Sequence, residues 1–213
     1  MMMEGQRFDI SNEMPPEVNY AAPLDAPEAL PRPSLWHKVG SALRELIETL
    51  ILTLVIFLVI RFAVQNFRIE GSSMEPNFHD GQYLFVNKLI YMFQPPQRGD
   101  VIVFVPPNSS SRDFIKRVIG LPGERVEIRS GTVFINGEPL VENYPLHPGS
   151  YSTAPIVVPP DEYFVLGDNR NYSSDSHSWG TVSVKKIIGK AWFSYWPPQS
   201  IGFIPDYTYA SGR

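Results

Sequence analysis

There is no cysteine among these 213 residues, which removes disulfides, thiol nucleophiles and thiolate metal sites together. Histidine is scarce. His37, His79, His147 and His177 are the only four, and no two stand at the close spacing of a zinc site, so no metal is expected. Basic charge is not in excess either. With 18 Lys and Arg against 22 Asp and Glu the formal net charge is −4. No basic patch supplies the phosphate-neutralising term of nucleic-acid binding, so no nucleic-acid partner is expected. No cofactor is expected. Helix signals are nearly absent after Phe67, and 15 of the chain's 21 prolines lie there and argue against long soluble helices.

What is present falls into three segments. Met1 to about Pro33 is acidic and punctuated by proline (Pro15, Pro16, Pro23, Pro27, Pro31, Pro33). It has too little aliphatic surface to offset chain entropy, so residues 1–40 are expected to be a disordered tail. The tail lacks the Arg- and Ser-rich, acid-poor character of a transit peptide and is not a secretory signal. Apolar density then jumps, with an uncharged run from Leu50 to Ile60. That run alone is shorter than the roughly 18 residues of a clear spanning segment. Glu48 and Arg61 lie near its ends, where long side chains snorkel, and Leu46 to Val64 is long enough to span. No polar face interrupts it, as a soluble amphipathic helix would require. The expectation is one transmembrane helix over 41–66; the alternative is a buried helix of a soluble domain. Arg32, Lys38 and Arg44 precede it, against Arg61 and Arg68 after it, which points to a cytoplasmic N-terminus.

Residues 67–213 read as one all-β domain built on antiparallel strands. Gln82–Val86, Asp100–Val105, Arg125–Ile128, Tyr163–Leu166 and Lys190–Trp196 carry the alternation or the short apolar runs of strands. Ser130-Gly131 and Asn136-Gly137 bracket Thr132–Ile135, which predicts consecutive hairpins. The aromatic stretches Leu89–Phe93 and Trp192–Trp196 suit a membrane interface, although Trp192 suits the domain core better.

Gly71-Ser72-Ser73-Met74-Glu75-Pro76 lies just beyond the apolar run and offers a serine nucleophile. Such a hydroxyl needs a base. Lys116, in Asp113-Phe114-Ile115-Lys116-Arg117-Val118, has two readings. As a buried strand residue it would lose much of its ordinary pKa of ~10.4 and serve as base. As a neighbour of Arg117 it would be a surface lysine on a strand edge. A Ser73–His177–Asp175 triad is a further possibility, although a triad is defined by geometry that sequence spacing does not supply. The third stretch of interest runs from Gly167-Asp168-Asn169-Arg170 to Gly180.

Taken in order behind an apolar anchor, these three blocks resemble those of the type I signal peptidases, and the resemblance covers Phe67 to about Pro198. It implies an antiparallel-sheet peptidase domain in which Ser73, directly before Met74, attacks and Lys116 is the general base. Ser173 is then expected to orient the lysine, with Asp168, Asp175 and His177 in support. Ile69, Met74 and Ile115 are expected to wall a substrate pocket that takes small residues at positions −1 and −3. For the two isoleucines a role as core aliphatics is as good a reading. The chain departs from the family pattern at Asn77, where threonine is common. It departs again at Gly71, where some members carry a serine that assists the oxyanion hole. His177 stands where arginine is frequent, and the Asp-Ser-His form resembles the cyanobacterial and thylakoid branch.

The implied activity is removal of signal peptides from exported preproteins at a phospholipid membrane. The implied place is the cell membrane, single-pass, with the catalytic domain on the extracytoplasmic face. Self-cleaving repressors share a Ser/Lys dyad and a related β fold, but the acidic tail and apolar helix do not match their plan. A processing peptidase specialised for one substrate would share every motif. A non-enzymatic, membrane-anchored module that binds exported chains predicts that Ser73→Ala is silent.

Overall fold

The alternation and turn residues of the second half reappear as strands in the computed structural model, which describes residues 35–107, 112–207 and 209. The expected tail lies almost wholly outside the described residues. In chain order the elements are α1 (Leu35–Ala63), β1 (Val64–Arg68), β2 (Tyr83–Asn87), the single turn α2 (Ile90–Phe93), β3 (Val101–Phe104), β4 (Phe114–Gly120), β5 (Arg125–Arg129), β6 (Thr132–Ile135) and β7 (Glu138–Pro139). They continue with β8 (Ile156–Val157), β9 (Glu162–Leu166), the turn α3 (Ser176–Trp179), β10 (Val182–Ser183), β11 (Ile187–Trp196) and β12 (Gly202–Phe203). The chain divides into two units between Thr49 and Leu50, inside α1.

In the first unit, Arg44 pairs with Glu48 one turn on, and the Thr49 hydroxyl donates to the Glu45 carbonyl. Across the helix as a whole, Val39–Ala63 has a mean hydropathy of 2.4 and none of its most apolar stretch is buried. Its 25 residues rise ~38 Å at about 1.5 Å each, against a hydrocarbon core of about 30 Å. By length and composition this helix is able to cross a membrane. It starts earlier than expected and stops earlier, because Val64–Asn66 leave the helix to pair with Phe85–Asn87 of β2.

The rest of the second unit is a pair of antiparallel sheets. The larger has the order β1-β2-β11-β3-β4-β9-β10, with β12 beside β11; the smaller has the order β7-β6-β5-β8. The two predicted turns adopt left-handed conformations at both central positions, with φ of 47° and 83° at Ser130-Gly131 and of 54° and 91° at Asn136-Gly137. These are the angles that match hairpin twist and that favour Asn-Gly. The strands at the centre are buried on both faces, which accounts for their unbroken apolar runs. Val101 and Val103 of β3 enter a cluster with Ile69, Met74, Phe78 and Ile115. Ile102 and Phe104, facing the other way, join Val118 and Val165. A third cluster, with Ile119, Val126 and Phe164, seats the smaller sheet.

One aromatic expectation fails. Trp192 is 46% exposed rather than buried in the core, because it faces outward beside Phe193 and Phe203.

Candidate active site

The β1–β2 hairpin continues one residue past β1, with Ile69 N–H donating to the Gln82 carbonyl at 2.8 Å. Gly71 then turns the chain at φ +86°, a left-handed angle that glycine reaches without strain, and its N–H is held by Asp80 Oδ1 at 2.7 Å. Beyond the turn Met74 and Phe78 plunge into the first apolar cluster. Ser73 sits partly exposed between the turn and this anchor. Its carbonyl accepts from Asn169 N–H at 3.0 Å, and the Asn169 amide side chain donates to the Ser72 carbonyl. Ser73 N–H donates to no acceptor among the described residues.

Strand alternation sends Lys116 and Arg117 of β4 to opposite faces. Both are buried, at 4% and 1% exposure, so the surface-edge reading of Lys116 is wrong: each face of the strand has a built partner. Lys116 Nζ lies 2.7 Å from Ser73 Oγ and 2.7 Å from the Ile115 carbonyl, with the Phe114 ring 5.4 Å away. Burial lowers its pKa to about 8, against the opposing pull of Asp175 and Asp168. A lysine near that value has a substantial neutral fraction at neutral to mildly alkaline pH, as a general base requires.

Arg117 makes a two-pronged ion pair with Asp168, at 2.8 and 2.6 Å, and donates to the Gly99 carbonyl. Burial acts to lower the arginine's pKa, but the hydrogen bond and charge of Asp168 outweigh it and leave the value raised. Asp168 also accepts from the Asn77 amide at 2.7 Å, so the serine loop is tied to the third block from below its anchor. Asp175, wholly buried, accepts from Gly167 N–H at 2.9 Å and meets His177 Nδ1 at 2.6 Å. His177 stacks on Tyr151 at 4.3 Å. Its hydrogen bond with Asp175 raises its pKa despite partial burial.

The geometry therefore joins Ser73 to Lys116, and His177 to Asp175, as two separate pairs. The triad alternative is not assembled, since the partner of Ser73 Oγ is the lysine. Ser173 is placed near the dyad, but not as expected. Its hydroxyl is buried and makes no hydrogen bond among the described residues. It abuts Gly167, where an added Cβ would fall 2.2 Å from Ser173 Oγ and 2.4 Å from the Ser73 carbonyl oxygen. Position 167 has no room for a side chain because both serines crowd it.

An open groove of about 340 Å³ leads to the dyad, lined by Phe67, Arg68, Glu70, Arg112, Asp113, Phe114, Ile115 and Ser174 beside Ser73 and Lys116. Of the three residues expected to wall a pocket, only Ile115 lines it. Ile69 and Met74 are packed in the first apolar cluster. Among the described residues no group of three or more His, Asp or Glu stands together as a metal would need. Sequence reading missed the tie from Asn77 to Asp168, noting position 77 only as a departure from the family pattern, and the Arg117–Asp168 pair. It also missed Arg170, buried against Glu142 and the Tyr144 hydroxyl. The one available signal for the first two was their membership of the three blocks.

Comparison with known proteins points to one family. Residues 43–196 match the family model described as signal peptidase, peptidase S26. A probable signal peptidase I-1 of Synechocystis is 41% identical over 86% of this chain and 95% of its own length. A signal peptidase I of Leptolyngbya laminosa is 47% identical over 78% of this chain and 85% of its own. Thylakoidal processing peptidase 1 of Arabidopsis thaliana is 38% identical over 62% of this chain and 42% of its own. With its serine loop, its buried lysine strand and its third block all inside the matched span, the chain belongs to the signal peptidase family, peptidase S26.

Proposed function

We propose that the protein is a membrane-anchored serine endopeptidase that removes N-terminal signal peptides from preproteins, with Ser73 as nucleophile and Lys116 as general base. The observation that carries this reading is the 2.7 Å contact between Ser73 Oγ and a Lys116 Nζ whose burial holds its pKa to about 8. Neutral Lys116 takes the Ser73 proton as Oγ attacks the scissile carbonyl. The free N–H of Ser73 faces the developing oxyanion; Gly71 brings no hydroxyl to that task. The protonated lysine gives its proton to the leaving amine, and the mature chain departs. Water, deprotonated by Lys116, then opens the acyl-enzyme and releases the signal peptide.

The substrate lies extended in the groove, pairing with exposed strand edges. The apolar lining at Phe67, Phe114 and Ile115 leaves space for small side chains at −1 and −3. The N-terminal side of α1 faces the cytoplasm, α1 crosses the cell membrane once, and the β domain works on the extracytoplasmic face. Exposed Met92, Phe93, Trp192, Trp196 and Phe203 suit contact with the lipid interface, where aromatic side chains settle. The names of the cyanobacterial relatives support the substrate class.

The test is cleavage of a purified preprotein by the full chain in detergent, with the cut located by mass spectrometry. Wild type is expected to cut once, after a small residue. Ser73→Ala should abolish cleavage, and Lys116→Ala should reduce it by at least the ~10²–10⁴ of a lost general base. Cleavage near the wild-type rate in Lys116→Ala would refute the dyad, and its loss in His177→Ala instead would restore the triad.

A further inference from the structure

Burial drives the proton off Lys116, and two buried carboxylates, Asp175 and Asp168, hold it back. Each carboxylate has one cationic partner among the described residues. For Asp168 it is Arg117, at 2.8 and 2.6 Å, and an arginine keeps its charge throughout the working pH range. For Asp175 it is His177, whose Nδ1 lies 2.6 Å from Oδ1. A histidine gives up its charge near neutral pH. One carboxylate is therefore neutralised permanently, and the other only while His177 is protonated.

The backbone ties this second carboxylate to the dyad. Asp175 Oδ2 accepts from Gly167 N–H at 2.9 Å. The pairing of β4 with β9 sets Arg117 against Leu166 and Val118 against Val165. The same register carried one residue on sets Gly167 against Lys116, and Gly167 is crowded by the Ser73 carbonyl and the Ser173 hydroxyl. His177 reaches this interior from outside, with its side chain 24% accessible against 0% for Asp175. Because Nδ1 faces a carboxylate, it keeps its hydrogen in both charge states, and the proton that titrates is the one on Nε2. The ring thus changes charge without giving up its hydrogen bond. The other charged or titratable groups nearby are engaged elsewhere. Arg170 is paired with Glu142, and the Tyr151 hydroxyl, on the ring that stacks with His177, is pushed up by burial and stays neutral. On β9, which holds α3 through Val165 N–H and the Ser176 hydroxyl, Glu162 accepts from Thr181 and Tyr163 lies in an apolar cluster.

We propose that His177 is a positioning residue that tunes the general base through Asp175, its charge deciding how readily Lys116 gives up its proton. This rests on the reading of Ser73 and Lys116 as the catalytic pair. Protonated, His177 neutralises the carboxylate and the lysine is released to act. Neutral, it leaves the carboxylate uncompensated, and the ammonium is favoured. The hydrogen bond to Asp175 moves the histidine up and burial moves the lysine down to about 8, so the two ionisations approach each other. The consequence is a rise of activity with pH that is broader than a single ionisation gives.

The experiment follows kcat/KM of the full-length enzyme in detergent against pH, on a purified preprotein with alanine at −1 and −3. Each profile is scaled to its own plateau, so that only the ionisation of the free enzyme is compared. His177→Arg fixes the charge and His177→Gln removes it. The arginine variant should rise at lower pH than the glutamine variant, by about half a unit to one unit. Wild type should follow the arginine curve at its acid end and the glutamine curve at its alkaline end. Superimposable scaled profiles overturn the proposal. A second measurement needs no turnover: the ring signal of His177 in histidine-labelled protein, assigned by its loss in His177→Gln, is titrated by NMR. Coupling is reciprocal, so Lys116→Met should raise the His177 midpoint by the same interval, and an unmoved midpoint overturns the proposal. If wild type cuts no preprotein, the peptidase reading falls and takes the proposal with it. If it cuts while the profiles coincide, the proposal alone falls.

Discussion

At the scale of single residues, Lys116 couples chemistry to stability. Its pKa falls from 10.5 to about 8 on folding because the ammonium is buried. Between those values the unfolded chain holds a proton that the folded chain has released, so stability rises with pH across that window. Below about pH 8 the fold carries a buried ammonium at a cost of about 3 kcal/mol. Lys116→Met should therefore be inactive but more stable at neutral pH by up to about 3 kcal/mol, the gain shrinking to nothing above pH ~10.5. Denaturant unfolding at several pH values checks this, and a gain independent of pH would rule out the ammonium as its cause. Wild-type turnover should climb as pH rises through about 8, where the base loses its proton. The lysine was legible as a candidate because Phe114, Ile115 and Val118 surround it with apolar neighbours. Its partner was legible only through the family resemblance, since a separation of 43 residues leaves no local trace. Arg117 misled for a related reason. An arginine beside a lysine reads as solvent, and only the fold reveals the carboxylate waiting on the opposite face.

At the scale of elements, β4 is the hinge of the site: one face carries the base and the other is bound to the third block. The Arg117–Asp168 pair is buried at 1% and 0% side-chain exposure. Removing one partner strands a charge in the interior, so Asp168→Ala should destabilise by ~3–5 kcal/mol. Because Asp168 also holds Asn77, kcat should fall alongside, while KM for a short peptide moves less. Thermal unfolding and steady-state kinetics on the same preparation test both. Unchanged stability would mean that Arg117 finds water or another acceptor. Turn chemistry made the β5–β6–β7 meander readable, since Ser130-Gly131 and Asn136-Gly137 are local signals. The two-residue strands β8, β10 and β12 were not readable. Each owes its existence to a partner elsewhere in the chain, as Ile156–Val157 does to Arg125–Val126. The end of α1 was misplaced for the same reason, since Val64 joins β2 rather than continuing an apolar helix.

At the scale of the whole molecule, the long apolar stretch of α1 and the net charge of −4 predict a membrane association that is hydrophobic and not ionic. The full chain should float with phospholipid vesicles equally well at low and high salt, and with neutral as well as anionic lipids. Release by salt would point to surface attraction instead of insertion. No connecting loop separates α1 from β1: the helix ends at Ala63 and the strand starts at Val64. Ser73 follows ten residues after Ala63, a stretch that spans at most ~33–36 Å even if fully extended. Such a leash sets a timetable for the substrate. With α1 in the bilayer as proposed, the bond to be cut has to come within that height of the membrane surface, so cleavage precedes any folding of the mature chain that would carry the junction out of reach.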